Sequence, residues 1–363
     1  MVEKVERLFI GAIATFFVLC TAVSCDKGDD GDPADNKPKV NYDTIYTYTN
    51  PVGDITNIGD PFIMLHKGFY YLYATSSGTG FKVWSSQNMA DWTERGMALD
   101  RNTEGNNWGD GNFWAPEVKY INGRFYMTYS ATTSKGMKIR IASSTNPLGP
   151  FINWSEPFLN TDNYSYIDGN LFVDNNTIYL YYVKDCSTNI INGKHVSQIF
   201  VVKLTDDLLA FDGKPALCTS PSQAWEDIYG EYQWNEGPFV LKHGDKYYLL
   251  YSSNYYADIN YSVGYATASN PMGPWTKYTG NPVLRKNEAL KVSGPGHCCV
   301  TSSPDSTELF MVYHTHTYFE VKGGNRNVCL DRISFDNGIL KVHGPTRSPQ
   351  DLPSGCKPRL IKK

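Results

Sequence analysis

One short pattern occurs five times along this chain, and nothing else in the sequence restricts its folding so tightly: two bulky apolar or aromatic residues, an aliphatic or aromatic one, a free position, then tyrosine. The copies are Phe69-Tyr70-Tyr71-Leu72-Tyr73, Phe125-Tyr126-Met127-Thr128-Tyr129, Ile178-Tyr179-Leu180-Tyr181-Tyr182, Tyr247-Tyr248-Leu249-Leu250-Tyr251 and Leu309-Phe310-Met311-Val312-Tyr313. Each follows a turn signal such as Asn122-Gly123 or Pro304-Asp305-Ser306, with another apolar segment before it, which describes a β-hairpin. A third strand-like run comes after each hairpin, for example Phe81-Lys82-Val83-Trp84, and a fourth is plausible around Trp92, Trp154 and Trp275. Four antiparallel strands in each ~60-residue unit is the signature of a propeller blade, because a lone four-stranded sheet cannot bury both faces until its neighbours stack around an axis. The expected fold is therefore all-β, a five-bladed β-propeller. A β-sandwich has no reason to repeat one aromatic hairpin five times.

Composition agrees. Among 363 residues 41% are apolar, 14% aromatic and 19% charged, which excludes a disordered polar chain. The formal net charge of −4 gives no general attraction to phosphate backbones, so nucleic acid is not an expected partner.

The N-terminus reads as an export signal. Lys4 and Arg7 precede an apolar run from Leu8 to Cys20, too short to span a bilayer, and Thr21-Ala22-Val23-Ser24-Cys25 resembles a lipoprotein cleavage box. The expected organisation is a signal peptide over 1–24, a polar tether over 25–42, and the propeller over 43–363. Membrane contact is then expected only through a lipid on Cys25, at the outer membrane or cell surface; an ordinary secretory signal, giving a periplasmic or secreted protein with Cys25 a free thiol, is the alternative. A monomer is expected. Six further cysteines (Cys186, Cys218, Cys298, Cys299, Cys329 and Cys356) allow disulfides in an oxidising compartment, but the spacing selects none.

The first strand of each blade lines a propeller's channel, so equivalent positions of successive blades face one another at its mouth. Counting back from each hairpin tyrosine, Asp60, Asp168, Glu236 and His297 lie 13, 14, 15 and 16 residues upstream. Three carboxylates and a histidine are thus expected to converge. They could hold a hard cation such as calcium, or perform acid–base chemistry in which mutual repulsion separates their pKa values. Taken singly, each acid is equally readable as a turn former or strand-end cap. Glu117 falls off this register and is read as structural.

At these residues the chain resembles a known family. Gly59-Asp60-Pro61-Phe62, Phe113-Trp114-Ala115-Pro116-Glu117-Val118, Tyr166-Ile167-Asp168-Gly169, Asn235-Glu236-Gly237-Pro238-Phe239 and Gly294-Pro295-Gly296-His297 look like the successive blade motifs of glycoside hydrolase family 43, from about Asn50 to about Pro345. The resemblance implies hydrolysis with inversion at the anomeric carbon, with Asp60 as general base, Glu236 as general acid, and Asp168 orienting the acid and raising its pKa. It further implies that His297 contacts a calcium ion or a water cluster in the channel, that Arg326 reaches the sugar, and that Trp114 is a candidate stacking platform. No organic cofactor is expected.

The partner implied is an oligo- or polysaccharide. Gly59 stands where endo-acting arabinan hydrolases of the family usually carry histidine, which favours exo-action on α-L-arabinofuranosides or β-D-xylosides of plant cell-wall fragments. The loops Asp100 to Gly111 and Asp185 to Val196 are expected to enclose the pocket. An endo-arabinanase and a surface lipoprotein that binds glycans without cleaving them remain as alternatives.

Overall fold

Every tyrosine-ended segment is the second strand of a four-stranded antiparallel sheet. The five sheets are Gly59–His66, Phe69–Thr75, Gly80–Ser86 and Thr93–Asp100; Trp114–Ile121, Arg124–Thr133, Gly136–Ser144 and Ile152–Asn153; Tyr166–Asp174, Thr177–Lys184, Gln198–Leu204 and Ala216–Thr219; Glu236–His243, Lys246–Ser253, Ser262–Ala268 and Thr276–Lys277; and Gly296–Ser302, Leu309–His316, Arg326–Asp336 and Ile339–Val342. This computed structural model describes residues 41–320 and 324–363. The leader, Cys25 and all but the end of the tether lie outside the described residues. Tyr42–Lys363 forms one compact unit.

The first strand of each sheet packs on the first strand of the next, and Gly296–Ser302 of the fifth sheet packs back on Gly59–His66 of the first. The architecture is all-β and propeller-like. The segments flanking the repeat pair with each other, Tyr42–Ile45 with Arg359–Lys362 and Thr47–Tyr48 with Gln350–Asp351.

The repeated tyrosines are core residues, and the hydroxyls of Tyr73, Tyr129, Tyr251 and Tyr313 find acceptors, which removes the cost of burying them. They do not share one register. Tyr73 lies opposite Phe62; its counterpart in the third sheet is Tyr181, opposite Asn170, and not the pattern's closing Tyr182, and the hydroxyls of Tyr73 and Tyr181 reach the Pro147 and Pro271 carbonyls of the following sheets' turns. Tyr129, Tyr251 and Tyr313 sit one residue further along, so they face the other side; they bond Asn153, Glu226 and Asp331. Side chains alternate along a strand, so counting back from Tyr73 puts the first sheet one residue out of step with the others. All six cysteines in the described residues are free thiols.

Candidate active site

Each first strand breaks its ladder at the same place, with a bulge between Gly59 and Phe62, Trp114 and Glu117, Ile167 and Asn170, Glu236 and Phe239, and Gly296 and Cys299. The residue after the last regular pair is left-handed in all five: Asp60, Ala115, Asp168, Gly237 and His297, with φ between 46° and 58°. A left-handed kink turns that side chain and its N–H toward the neighbouring sheet. The previous sheet supplies the acceptor from one equivalent position: Ala115 N–H donates to Thr75 Oγ1, Asp168 N–H to Ser130 Oγ, His297 N–H to Ser252 Oγ and Asp60 N–H to His314 Nδ1, at 2.8–3.2 Å. The third sheet has Val183 at that position. There the Asp168 carboxylate itself accepts the Gly237 N–H, at 2.9 Å, and so is tied beside Glu236.

This register corrects the count made from the tyrosines. Asp60, Asp168 and His297 are equivalent, but Glu236 is not their counterpart: it stands one residue earlier, level with Gly59 and Trp114, and Gly237 takes the left-handed position. A Cβ at Gly237 would press on the His297 ring at 3.1 Å, which with the positive φ accounts for glycine there. Glu117 lies level with Phe62, Asn170, Phe239 and Cys299, deeper in the channel, where Asn170 Nδ2 donates to its Oε2 at 2.5 Å. Burial pushes its carboxyl up to about 8.

Despite that offset, Asp60, Trp114, Asp168, Glu236, His297 and Arg326 all line one cavity of about 370 Å³. Arg326 Nη1 lies 2.9 Å from Asp60 Oδ1, and Thr75 Oγ1 donates to Oδ2 at 2.6 Å. Burial alone would raise the Asp60 pKa; the Arg326 charge, helped by His297, His314 and the Thr75 bond, overrides it and holds the carboxyl well below its ordinary value. Glu236 is pushed the opposite way. Burial and then the nearby Asp168 charge raise it well above an ordinary carboxyl, although Tyr261 donates to Oε1 at 2.8 Å and offsets part of the shift. Burial raises Asp168 too. The cavity therefore presents an ionised carboxylate from the first sheet and a protonated carboxyl from the fourth.

Gly59 is required by the same geometry, because a Cβ there would collide with the Arg326 guanidinium. Arg326 is buried, spans Asp60 and the Tyr256 ring (4.8 Å), and so acts first on the carboxylate. Trp114 is 38% exposed at the rim, where a sugar face could stack on it. Of the two loops expected to enclose the pocket, Asp185, Cys186 and Ser187 line it and 100–111 do not. The sequence reading missed Tyr232, Trp234, Tyr255 and Tyr256, which build the fourth-sheet wall. Their one sequence signal is a cluster of aromatic residues in loops on both sides of the hairpin that follows Glu236.

The side chains around His297 do not by themselves make a cage for the expected calcium ion. Its Nδ1 faces Asp60 Oδ1 at 3.4 Å, but that oxygen already carries Arg326. The neighbouring His314 accepts the Asp60 N–H at Nδ1, so its partnerless Nε2 holds a proton and offers no lone pair. Among the described residues no group of three or more His, Cys, Asp or Glu side chains is placed to hold a metal.

A propeller that sets an ionised and a protonated carboxyl across an aromatic, sugar-sized cavity has the machinery of a glycoside hydrolase. The chain belongs to glycosyl hydrolases family 43, whose model matches residues 48–340. It is 29% identical to alpha-L-arabinofuranosidase 43 of Humicola insolens over 93% of this chain and 69% of the relative. It is also 29% identical to an extracellular exo-alpha-(1->5)-L-arabinofuranosidase of Streptomyces avermitilis, over 80% of this chain and 62% of the relative. A thermostable family-43 glycoside hydrolase of known structure is 56% identical, with a TM-score of 0.83 over 85% of this chain and all of the other. An endo-1,4-beta-xylanase from Bacteroides thetaiotaomicron is 32% identical, with a TM-score of 0.70 over 84% of this chain and 98% of the other.

Proposed function

We propose that this protein is an inverting, exo-acting glycosidase that removes terminal α-L-arabinofuranosyl or β-D-xylosyl residues from plant cell-wall glycans. One observation carries the reading: Asp60 and Glu236 face one cavity with their pKa values driven in opposite directions. In single-displacement hydrolysis Asp60 takes a proton from water as its oxygen attacks the anomeric carbon. Glu236 gives its proton to the departing glycosidic oxygen as the C–O bond breaks. The anomeric centre inverts, and the proton Asp60 gained and the one Glu236 lost are exchanged with solvent. Asp168, held by Ser130 and Gly237, keeps negative charge beside Glu236 so that the acid stays protonated until the leaving oxygen needs it.

The exo reading draws on the arabinofuranosidases among the relatives and on Gly59, since a histidine before Asp60 would displace Arg326. Five sheets whose inner strands meet in ring order support five blades. The leader sequence supports export as a lipoprotein anchored through Cys25; radiolabelled palmitate incorporated by the wild type and lost in Cys25→Ala would bear on that part alone.

Glu236→Gln keeps the shape of the acid and removes its proton. It should lower kcat on an unactivated oligosaccharide by ~10²–10⁴-fold, and much less on an aryl pentoside whose leaving group needs no proton. Equal activity of variant and wild type on the oligosaccharide would refute the assignment, and proton NMR showing the first-released anomer retained would refute inversion.

A further inference from the structure

Trp234 stands two residues before Glu236 and belongs to a run of rings that bond cleavage itself does not require. His195 stacks on Tyr232 at 4.4 Å, Tyr232 on Trp234 at 6.0 Å, and Trp234 meets Tyr255 at 5.6 Å. The run is braced by a small sheet outside the fivefold repeat. Lys194–Val196 pairs with Ile190–Ile191 on one edge and, in parallel, with Tyr232–Gln233 on the other. His195 is fixed in turn, with Nδ1 2.8 Å from the Cys186 carbonyl oxygen. Tyr232 and Tyr255 nevertheless remain 42% and 46% exposed. Rings kept rigid yet open to solvent are what stacking on a sugar needs, because little side-chain entropy is left to lose on binding.

Tyr232, Trp234 and Tyr255 face two spaces. One is the cavity of about 370 Å³ that holds Asp60 and Glu236; the other is an open groove of about 750 Å³ that Asn260 and Arg285 also line. Both volumes lie within the ~300–1,000 Å³ range of small-ligand sites. If the cavity takes the one pentose that is cut, a groove about twice as large takes roughly two sugars more. The chemistry decides which part of the substrate that is. The protonated carboxyl must meet the departing oxygen, and the water enters from the opposite face of the ring. Glu236 opens the fourth sheet, and the rings that divide the cavity from the groove flank its first hairpin, Tyr232 and Trp234 just before Glu236 and Tyr255 just after Lys246–Ser253. The departing portion of the substrate therefore leaves toward the groove, across from Asp60.

On the basis of that glycosidase reading, we infer that the groove beyond Tyr232, Trp234 and Tyr255 is the binding site for the leaving portion of a glycan, at least two sugars long. The protein is then a trimmer of oligosaccharides or polymers, selective for what the terminal pentose is attached to. Trp234 and Tyr255 supply the platforms, while Asn260 and Arg285, which line the same groove, offer partners to sugar hydroxyls.

The test compares 4-nitrophenyl pentosides, whose leaving group is no sugar, with arabino- and xylo-oligosaccharides of two to five sugars on the full-length protein. Turnover of the aryl pentoside reports on the glycosidase reading, and the oligosaccharide-to-aryl ratio of kcat/KM reports on the groove. In the wild type kcat/KM should rise about tenfold or more between disaccharide and tetrasaccharide. Trp234→Ala and Tyr255→Ala should each lose about tenfold more on the tetrasaccharide than on the aryl pentoside, largely in KM. Asn260→Trp, which puts bulk into the groove and leaves all three rings in the sequence, should flatten the dependence on chain length. A wild type indifferent to chain length, or variants whose losses are equal on both substrates, would overturn the inference while leaving the glycosidase reading in place.

Discussion

Replacing Arg326 with methionine removes one charge and keeps a buried stem of similar length, so it isolates what the guanidinium does to Asp60. The two groups are 2.9 Å apart, with side chains 9% and 13% exposed, so solvent screens the pair weakly. An opposite charge at such range lowers a carboxyl pKa by about 1–3 units, or about 1.4–4 kcal/mol between protonation states. Burial, less opposed, acts to raise Asp60; His297 at 3.4 Å and the Thr75 hydroxyl remain and limit the rise. In the proposed mechanism Asp60 is the base and works only when ionised. The acid limb of the kcat/KM profile against pH for an aryl pentoside should therefore move up by about 1–3 units, while the alkaline limb, set by Glu236, moves less. A loss of sugar contacts alone would lower the whole curve without displacing that limb, so the two effects are separable in one experiment. Arg326→Lys, which keeps the charge, should restore most of the wild-type limb. An acid limb that coincides in wild type and Arg326→Met would refute the claim that Arg326 keeps Asp60 ionised.

Three further expectations use other contacts. Tyr261→Phe deletes the hydrogen bond that favours ionised Glu236, so the alkaline limb of the same profile should shift to higher pH; a shift to lower pH would contradict the assigned donor. Lys277→Met leaves the wholly buried Glu226 carboxylate without its cation, behind Asn235 and the acid, and should cost about 3–5 kcal/mol in urea unfolding; a cost below about 1 kcal/mol would mean that the pair is dispensable. Prolonged dialysis against a chelator should change neither kcat/KM nor Tm, because among the described residues no cluster of three ligating side chains surrounds His297; a fall in either that calcium reverses would show that the expected channel cation binds there.

Much of the site was legible before any coordinates, for a local reason. Hairpins announce themselves through neighbouring residues, turn signals and alternation, so five copies of one aromatic pattern were enough to place Asp60, Asp168 and His297 on the inner strands of the first, third and fifth sheets. The register was harder. Tyr73 and Tyr129 look interchangeable in sequence but lie on opposite faces of their strands, because either position can bury a ring and find an acceptor for its hydroxyl. That degeneracy moved the first sheet by one residue, and taking offsets of 13 to 16 as one position made Glu236 look equivalent to Asp60.

The order of strands, their fivefold grouping and the supply of acids to one mouth follow from the chain's own periodicity. What needed the tertiary structure is every contact between groups far apart in sequence. Arg326 and Asp60 are separated by 266 residues, and Val183 hands the Gly237 N–H to Asp168 only because neighbouring sheets are in contact. Which carboxyl is charged and which is protonated rests on those contacts and on burial. Electrostatic energy depends on distance through space and on access to water, and neither is a property of position along a chain.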